Sequence, residues 1–506
     1  MSQSDLTHPG GAPGQATEPD PRRWKALLFI AIAQLMVILD ATIVNIALPS
    51  VQADLGITDG NRQWVITAYA LAFGGLLLLG GRIADTWGRK RTFLTGLVGF
   101  AAASAIGGAA VNEAMLYLSR GLQGAFGALL APAALSLLAV TFTNPKERAQ
   151  AFGIFGAIAG GGAAVGLTLG GVLTEYADWR WVFFVNIPIA AVAVVGGMAE
   201  IRDHGGRNRS PLDIPGALLG TAGLVALVYG FTRAESHGWT EGWTLAMFVA
   251  TAVLLASFVV TERKVSAALL PLRVVLDRNR GGAYLTMALM MIAMFALFLF
   301  LTYYMQVVQD YSAMRAGVAF LPMVGGMLIG STQIGARLVT RIPARMLMGP
   351  GLLTAAAGML ILTQLQIDSS YLLILPALVL LGIGMGTTFM PAMSVAVHGV
   401  EARDTGIASA MLNTSQQVGG AIGIALLNTI AAGATTAYLA ANAASGAPEL
   451  VQLEGLVHGF TTAIWWAVGV LLLAAAVAVT LVNAGATNPT TSGDDVEGER
   501  APVLAH

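Results

Sequence analysis

Apolar residues in this 506-residue chain gather into long, nearly unbroken runs separated by short polar stretches. A bilayer core about 30 Å thick takes about 20 apolar residues per helix, and fourteen runs meet that description. The first seven are Trp24–Leu48, Trp64–Gly81, Thr92–Val111, Ala114–Val140, Ala149–Leu173, Trp181–Met198 and Ile214–Phe231. The others are Trp243–Val260, Ala283–Val307, Ala316–Ile334, Leu347–Leu365, Tyr371–Val397, Gly406–Ala431 and Phe460–Val482. Each predicts a membrane-spanning helix.

The lengths of the polar stretches divide these runs into six, two and six. Glu200–Asp213, with Arg202, Asp203, His204, Arg207, Asn208 and Arg209, closes the first six. Glu262–Arg280 opens the last six and contains Leu269 to Val275, a candidate amphipathic segment along the membrane surface. The expected domains are a disordered tail over 1–21, a six-helix bundle over 22–200, two extra helices with linkers over 201–280, a second bundle over 281–484 and a tail over 485–506. The two extra helices are expected to be peripheral. The loops after the second helix of each six are weakly alike: Gly80-Gly81-Arg82-Ile83-Ala84-Asp85 against Gly335-Ala336-Arg337-Leu338-Val339-Thr340. Repeated halves of this kind let transporters alternate access around a site near the bilayer midplane.

Composition agrees: 56% of residues are hydrophobic and 11% charged, against about 25% charged in a soluble domain. The net charge of −1 says nothing about partners, although no nucleic-acid partner is expected of such a chain, and the informative feature is where the cations lie. With the N-terminus inside, 22 of the 27 Lys and Arg fall on that side, which places both termini in the cytoplasm. Arg62, Arg180, Arg233 and Arg315 lie opposite, and Arg120 lies within a helix. The N-terminal tail lacks the apolar core of a signal peptide. Absence of cysteine excludes disulfides and thiolate chemistry. A strong preference for Arg over Lys fits a high-GC bacterial genome, so the expected location is a bacterial cell membrane.

Asp40 stands out because a carboxylate within a membrane helix is disfavoured by about 2.5–3.5 kcal/mol on insertion scales. At 1.5 Å per residue it lies about 22 Å beyond Lys25, while Arg120 lies about 10 Å below the opposite end of the fourth helix, so the two share a depth. A neighbouring cation favours the ionised carboxylate and desolvation favours the protonated one. A group held between those influences can exchange a proton as access changes. The alternative is a static pair that only fixes helix packing.

Gly162, Gly166 and Gly170 form a small-xxx-small register in the fifth helix, suited to close helix packing. The ninth run offers Met291, Met294 and Phe298 as cavity candidates, although such a stripe is more often packed core or lipid-facing. Asn45, Gln123, Asn413, Gln416 and Gln417 are polar cavity candidates. The last three either line a cavity or join helices by hydrogen bonds.

Several stretches resemble one family. Gly81-Arg82-Ile83-Ala84-Asp85-Thr86-Trp87-Gly88-Arg89-Lys90 resembles the signature of the major facilitator superfamily between helices two and three. Leu39-Asp40 through Pro49 is similar to the first-helix motif of its fourteen-spanner drug:proton antiporter branch. Arg120-Gly121-Leu122-Gln123-Gly124, Trp179 through Pro188 and Gly406-Ile407-Ala408-Ser409 agree with that branch. One departure is Gly166-Leu167, where the antiporter motif usually carries Gly-Pro. The resemblance implies an all-α integral membrane protein of the major facilitator fold, with fourteen transmembrane helices arranged as 6+2+6. It implies export of small hydrophobic or cationic drugs or antibiotics in exchange for protons, by a functional monomer embedded in the lipid bilayer. It also implies that Gly81, Asp85, Gly88 and Arg89 form a cytoplasmic gate lock and that Asp40 and Arg120 couple the proton.

No metal-ligand spacing, nucleophile pair or phosphate-binding loop is present, so neither an enzyme, a metal site, a cofactor nor an ATP-driven pump is expected. Remaining alternatives are a transporter of another solute, such as a lipid, siderophore or nutrient, or a non-transporting membrane sensor.

Overall fold

The computed structural model describes residues 21–57, 64–142, 144–202, 213–265, 270, 272–339, 341–397, 400, 405–443 and 447–483. The two expected tails, residue 21 excepted, and most of the Glu200–Asp213 stretch lie outside these residues. Within them regular structure is helical throughout.

The first elements are α1 (Arg23–Leu55), α2 (Trp64–Trp87), α3 (Arg89–Gly108), α4 (Glu113–Thr141), α5 (Pro145–Tyr176) and α6 (Trp181–Glu200). Two helices follow, α7 (Ile214–His237) and α8 (Gly242–Lys264). After a four-residue helical turn at Leu272–Val275 come α9 (Arg278–Val308), α10 (Met314–Leu338), α11 (Arg345–Leu362), α12 (Tyr371–Val397), α13 (Thr405–Ala441) and α14 (Pro448–Leu481). Among the described residues twelve helices are long and apolar enough to cross a membrane. The expected runs Thr92–Val111 and Ala149–Leu173 fall in α3 and α5, helices of 20 and 32 residues outside that twelve. α3 is rich in Gly and Ala and opens on three cations, Arg89, Lys90 and Arg91, which lowers its hydropathy.

Packing repeats along the chain. α2 packs on α4, α1 on α5 and α6, and α3 on α4 and α6; α10 packs on α12, α9 on α13 and α14, and α11 on α12 and α14. Every contact in the first list recurs eight elements later. The two sets meet through α2 against α13 and α5 against α10, which are also related by that offset. α7 lies on both α2 and α13, so it is not peripheral; it fills the seam beside the contact between sets. α8 packs chiefly on α7 and keeps only 17% of its apolar window buried, as expected of a lipid-facing helix.

Cations from helix starts fasten the last helix of each set. Arg22 donates to the Ala199 carbonyl and Lys90 to the Met198 carbonyl at the end of α6. Arg278 donates to the Thr480 carbonyl at the end of α14, and Arg345 to Asn483 just beyond it. Helix C-termini leave unpaired carbonyls and carry partial negative charge, so cations suit them. All four cations lie on one face of the molecule, called the basic face below.

Glycines set the closest approaches. A Cβ on Gly162 would sit 3.0 Å from Ile38, one on Gly166 would fall on the Thr42 hydroxyl, and one on Gly170 would sit 2.8 Å from Ile43. The register expected in α5 therefore seats α5 against α1 on either side of Asp40. α5 is helical without a break through position 167, consistent with Leu in place of a helix-kinking proline.

Candidate transport site and gate

Asp40 is completely buried, and polar side chains of Arg120, Gln123 and Asn186 donate to it. Arg120 Nη1 donates to Asp40 Oδ2 at 2.6 Å. Gln123 Nε2 donates to Asp40 Oδ1 at 2.7 Å, and Asn186 Nδ2 donates to the same oxygen at 2.9 Å. The carboxylate therefore accepts three hydrogen bonds from three side chains on two neighbouring helices. Arg120 has further anchors: Nε donates to the Val65 carbonyl at 2.9 Å, Nη1 to Gln123 Oε1 at 2.9 Å, and its guanidinium lies 4.5 Å from the Tyr69 ring centroid. Ser104 Oγ on α3 accepts from Gln123 at 2.7 Å and from Asn186 at 3.3 Å.

Local sequence explains how these groups converge. Gly124 lets α4 approach α2 so closely that a Cβ there would strike the Tyr69 carbonyl, which brings Arg120 within reach of Val65. Gln123 follows Arg120 by three residues and shares its helix face. Pro188 offers no amide proton and crowds the carbonyl four residues earlier, and α6 is interrupted at Val185 between Phe184 and Asn186. The second stretch of α6 thus begins with Asn186 aimed at Asp40. A buried ion pair is costly unless its remaining hydrogen-bond positions find partners, and here the Gln123 and Asn186 side chains and the Val65 carbonyl supply them.

The α2–α3 connection is a single residue. Gly88 has φ 108°, a conformation that side chains with a Cβ rarely adopt, and it turns the chain so that Arg89 opens α3 beneath Asp85. The Arg89 guanidinium lies 3.6 Å from the Asp85 carboxylate. Gly81, one turn before Asp85, is buried in α2. On the face opposite the basic one, the Arg180 guanidinium and the Trp179 indole donate to Asp54 at 2.8 and 3.1 Å and hold its carboxyl below the usual range.

The remaining candidates are spread over several surfaces. Gln123, expected to line a cavity, is fully buried with its amide committed to Asp40 and Ser104. Asn45 is exposed and donates to the Ala41 carbonyl of its own helix at 3.1 Å. Met291 is buried in the core, whereas Met294 and Phe298 are half-buried, with the Phe298 ring 5.2 Å from that of Phe320. Asn413, Gln416 and Gln417 are half-buried on one face of α13, and Gln417 meets α2 at Gly74, on the seam between the two sets.

A sequence profile described as Major Facilitator Superfamily matches residues 30–424, which include Asp40, Arg120, Asn186 and the gate. The chain belongs to this superfamily. Among its relatives, a puromycin resistance protein of Streptomyces alboniger is 53% identical over 92% of each chain. A cephamycin export protein of Amycolatopsis lactamdurans is 39% identical over 81% of this chain and 85% of the relative. The human organic anion transporter MFSD10 shares the fold, with a TM-score of 0.61 at 15% identity over 90% of this chain and all of that one.

Within this major facilitator chain, sequence reasoning found Asp40 and Arg120 but gave no role to Asn186, Ser104, Tyr69 or the Val65 carbonyl. Asn186 lay inside the Trp179–Pro188 motif, and an amide two residues before a helix-breaking proline was a usable signal. Ser104 sits in a run of small residues that carries no signal at all.

Proposed function

We propose that this chain is a secondary transporter that exports hydrophobic or cationic antibiotics across the cell membrane in exchange for protons. The observation that carries the reading is the fully buried carboxylate at Asp40, paired with Arg120 and enclosed by amides. Intramembrane ionisable groups in such settings mark ion and proton pathways. Antibiotic export follows from likeness to the puromycin resistance and cephamycin export proteins. A transporter, not an enzyme, is the natural reading for this superfamily.

The architecture that goes with this function is two six-helix bundles, 22–200 and 281–484, around a two-helix insertion at 201–280. The recurrence of packing pairs at an offset of eight supports it. α3 and α5 count as spans on length, since 20 and 32 residues reach about 30 and 48 Å. That gives fourteen spans, with the basic face in the cytoplasm. The unit of function is a monomer, because both bundles and their seam lie within one chain.

In the transport cycle, Asp40 takes a proton from the outside, loses its charge and loosens Arg120; rocking of the bundles then exposes it to the cytoplasm, where the proton leaves. Asp85 and Arg89 latch the basic face, with the Thr405 end of α13 as partner, since a helix N-terminus attracts an anion. Asn413, Gln416 and Gln417 on α13, with Asn45, Met294 and Phe298, supply the adaptable surface for substrate.

Proton movement in inside-out vesicles with an acidified interior tests the reading. Added antibiotic should trigger proton release with the wild-type protein and none with Asp40→Asn at matched expression. Normal exchange by the variant would leave Asp40 structural.

A further inference from the structure

Asp40 in this structure is hydrogen-bonded as an anion: all three of its side-chain neighbours donate to it. A protonated carboxyl must itself donate, and the cluster offers few places to do so. Gln123 Oε1 is taken by Arg120, the Val65 carbonyl is taken by Arg120 Nε, and Ser104 Oγ already accepts from two amides. One acceptor is unused. Asn186 Oδ1 is buried and accepts no hydrogen bond, although Asn186 itself is completely enclosed. Its neighbours fix which way the amide points, because a carbonyl oxygen facing an ionised carboxylate would be repelled.

We propose that Asn186 is the positioning residue that follows the protonation state of Asp40, donating through Nδ2 to the ionised carboxylate and turning by half a rotation to accept through Oδ1 from the protonated acid. The inference rests on Asp40 as the proton carrier. A half-turn about the Cβ–Cγ bond exchanges the two ends of the amide, placing Oδ1 where Nδ2 now lies, 2.9 Å from Asp40 Oδ1 and 3.3 Å from the Ser104 hydroxyl. The proton balance is simple: one proton from water adds to Asp40 Oδ1, the carboxylate becomes neutral, and the same proton returns to water on the other side. Gln123 cannot make this turn, since both ends of its amide are engaged.

The groups facing Asp40 limit what else could respond to the proton. Arg120 from α4 is the facing cation, and Tyr69 from α2 lies beneath it. α3, α5 and α6 bring Ser104, glycines and Asn186 to this level and carry their charged residues toward their ends. Asn186 is therefore the amide whose orientation can report the proton without moving a charge.

Infrared difference spectra of the purified protein between high and low pH, with asparagine carrying a carbon-13 side-chain label, test this directly. Wild type should show a carboxylic-acid band that disappears in Asp40→Asn, accompanied by a shifted asparagine amide band that disappears in both Asp40→Asn and Asn186→Leu. Asn186→Leu should keep the acid band and move the midpoint of substrate-triggered proton release by about one pH unit, the size of one lost charge-assisted hydrogen bond. Asn186→Thr, whose hydroxyl both donates and accepts, should restore the midpoint. A wild-type acid band with no asparagine shift would overturn the role of Asn186 while leaving Asp40 as carrier, and needs no variant to fold. Absence of the acid band together with normal exchange by Asp40→Asn would remove the carrier reading and this inference with it.

Discussion

The two six-helix sets share a frame and differ in chemistry. Both pack the same helix pairs, and in both, cations at the starts of the first and third helices fasten the end of the sixth. The first set then buries Asp40, Arg82 and Arg120, whereas the buried polar residues described in the second set are all Ser or Thr. Those hydroxyls mostly satisfy themselves within their own helices: Thr387 and Thr388 donate to carbonyls four residues back, at 2.7 and 2.9 Å. The difference teaches that the frame tolerates loss of the ionic cluster. A charge cluster present in only one copy of a repeated frame is therefore not needed to hold that frame together.

The largest expected effect comes from breaking the cluster on one side only. Arg120→Leu leaves Asp40 as an unpaired buried charge and should destabilise the protein by about 3–5 kcal/mol, read as a fall in thermal unfolding temperature in detergent. Thr388→Val in the second set should cost no more than about 1 kcal/mol, since membrane-helix hydrogen bonds average about 0.6 kcal/mol. Equal losses from the two changes would erase the contrast between the sets.

Gly88→Ala comes next. At φ 108° the added Cβ strains the backbone by about 1–3 kcal/mol, and the turn that presents Asp85 and Arg89 should distort. Unchanged thermal stability, with antibiotic-triggered proton release intact, would count against a strained latch. The second set has no positive-φ glycine among its described residues, so no glycine there should show the same sensitivity.

The shared frame is tested by Lys90→Ala and Arg278→Ala, which each remove a cation from the end of a sixth helix. Both should cost about 0.3–1 kcal/mol, less at high salt. A loss confined to one of the two would show that the fastenings are not equivalent.

The smallest effect belongs to the α7–α8 hairpin, which neither set repeats. Arg233 and the Thr244 amide hydrogen-bond Glu241 and hold its carboxyl at about 2, below the ordinary value of 4.5. A depressed carboxyl contributes stability that is full above the unfolded value and is lost as pH falls toward the folded one. The small difference in thermal stability between wild type and Glu241→Gln should therefore stay constant from neutral pH down to about 5 and shrink below 4.5. A difference that grows on acidification would reverse the sign of this linkage.

Asp40 and Arg120 were legible in the sequence because charges are rare in apolar runs and helical rise places both at one depth. The glycine register of α5 was legible because small residues at intervals of four form one helix face. Gln123 was misplaced, since a polar residue in a membrane helix looks alike whether it lines a cavity or sits sealed against a carboxylate. The role of α7 was misjudged because loop lengths carry no information on which groove a helix fills.

The sequence by itself determined the helical, membrane-embedded character of the chain, the one-sided distribution of cations and the identity of the buried ion pair, because each follows from local hydropathy, spacing and the cost of charge in hydrocarbon. Only the tertiary structure decided that Asn186 and Ser104 complete the site, since residues 40, 104, 123 and 186 meet across four helices and no local pattern encodes that meeting. It also decided that no charge is buried among the described residues of the second frame, because burial is a property of packed neighbours and not of any one residue.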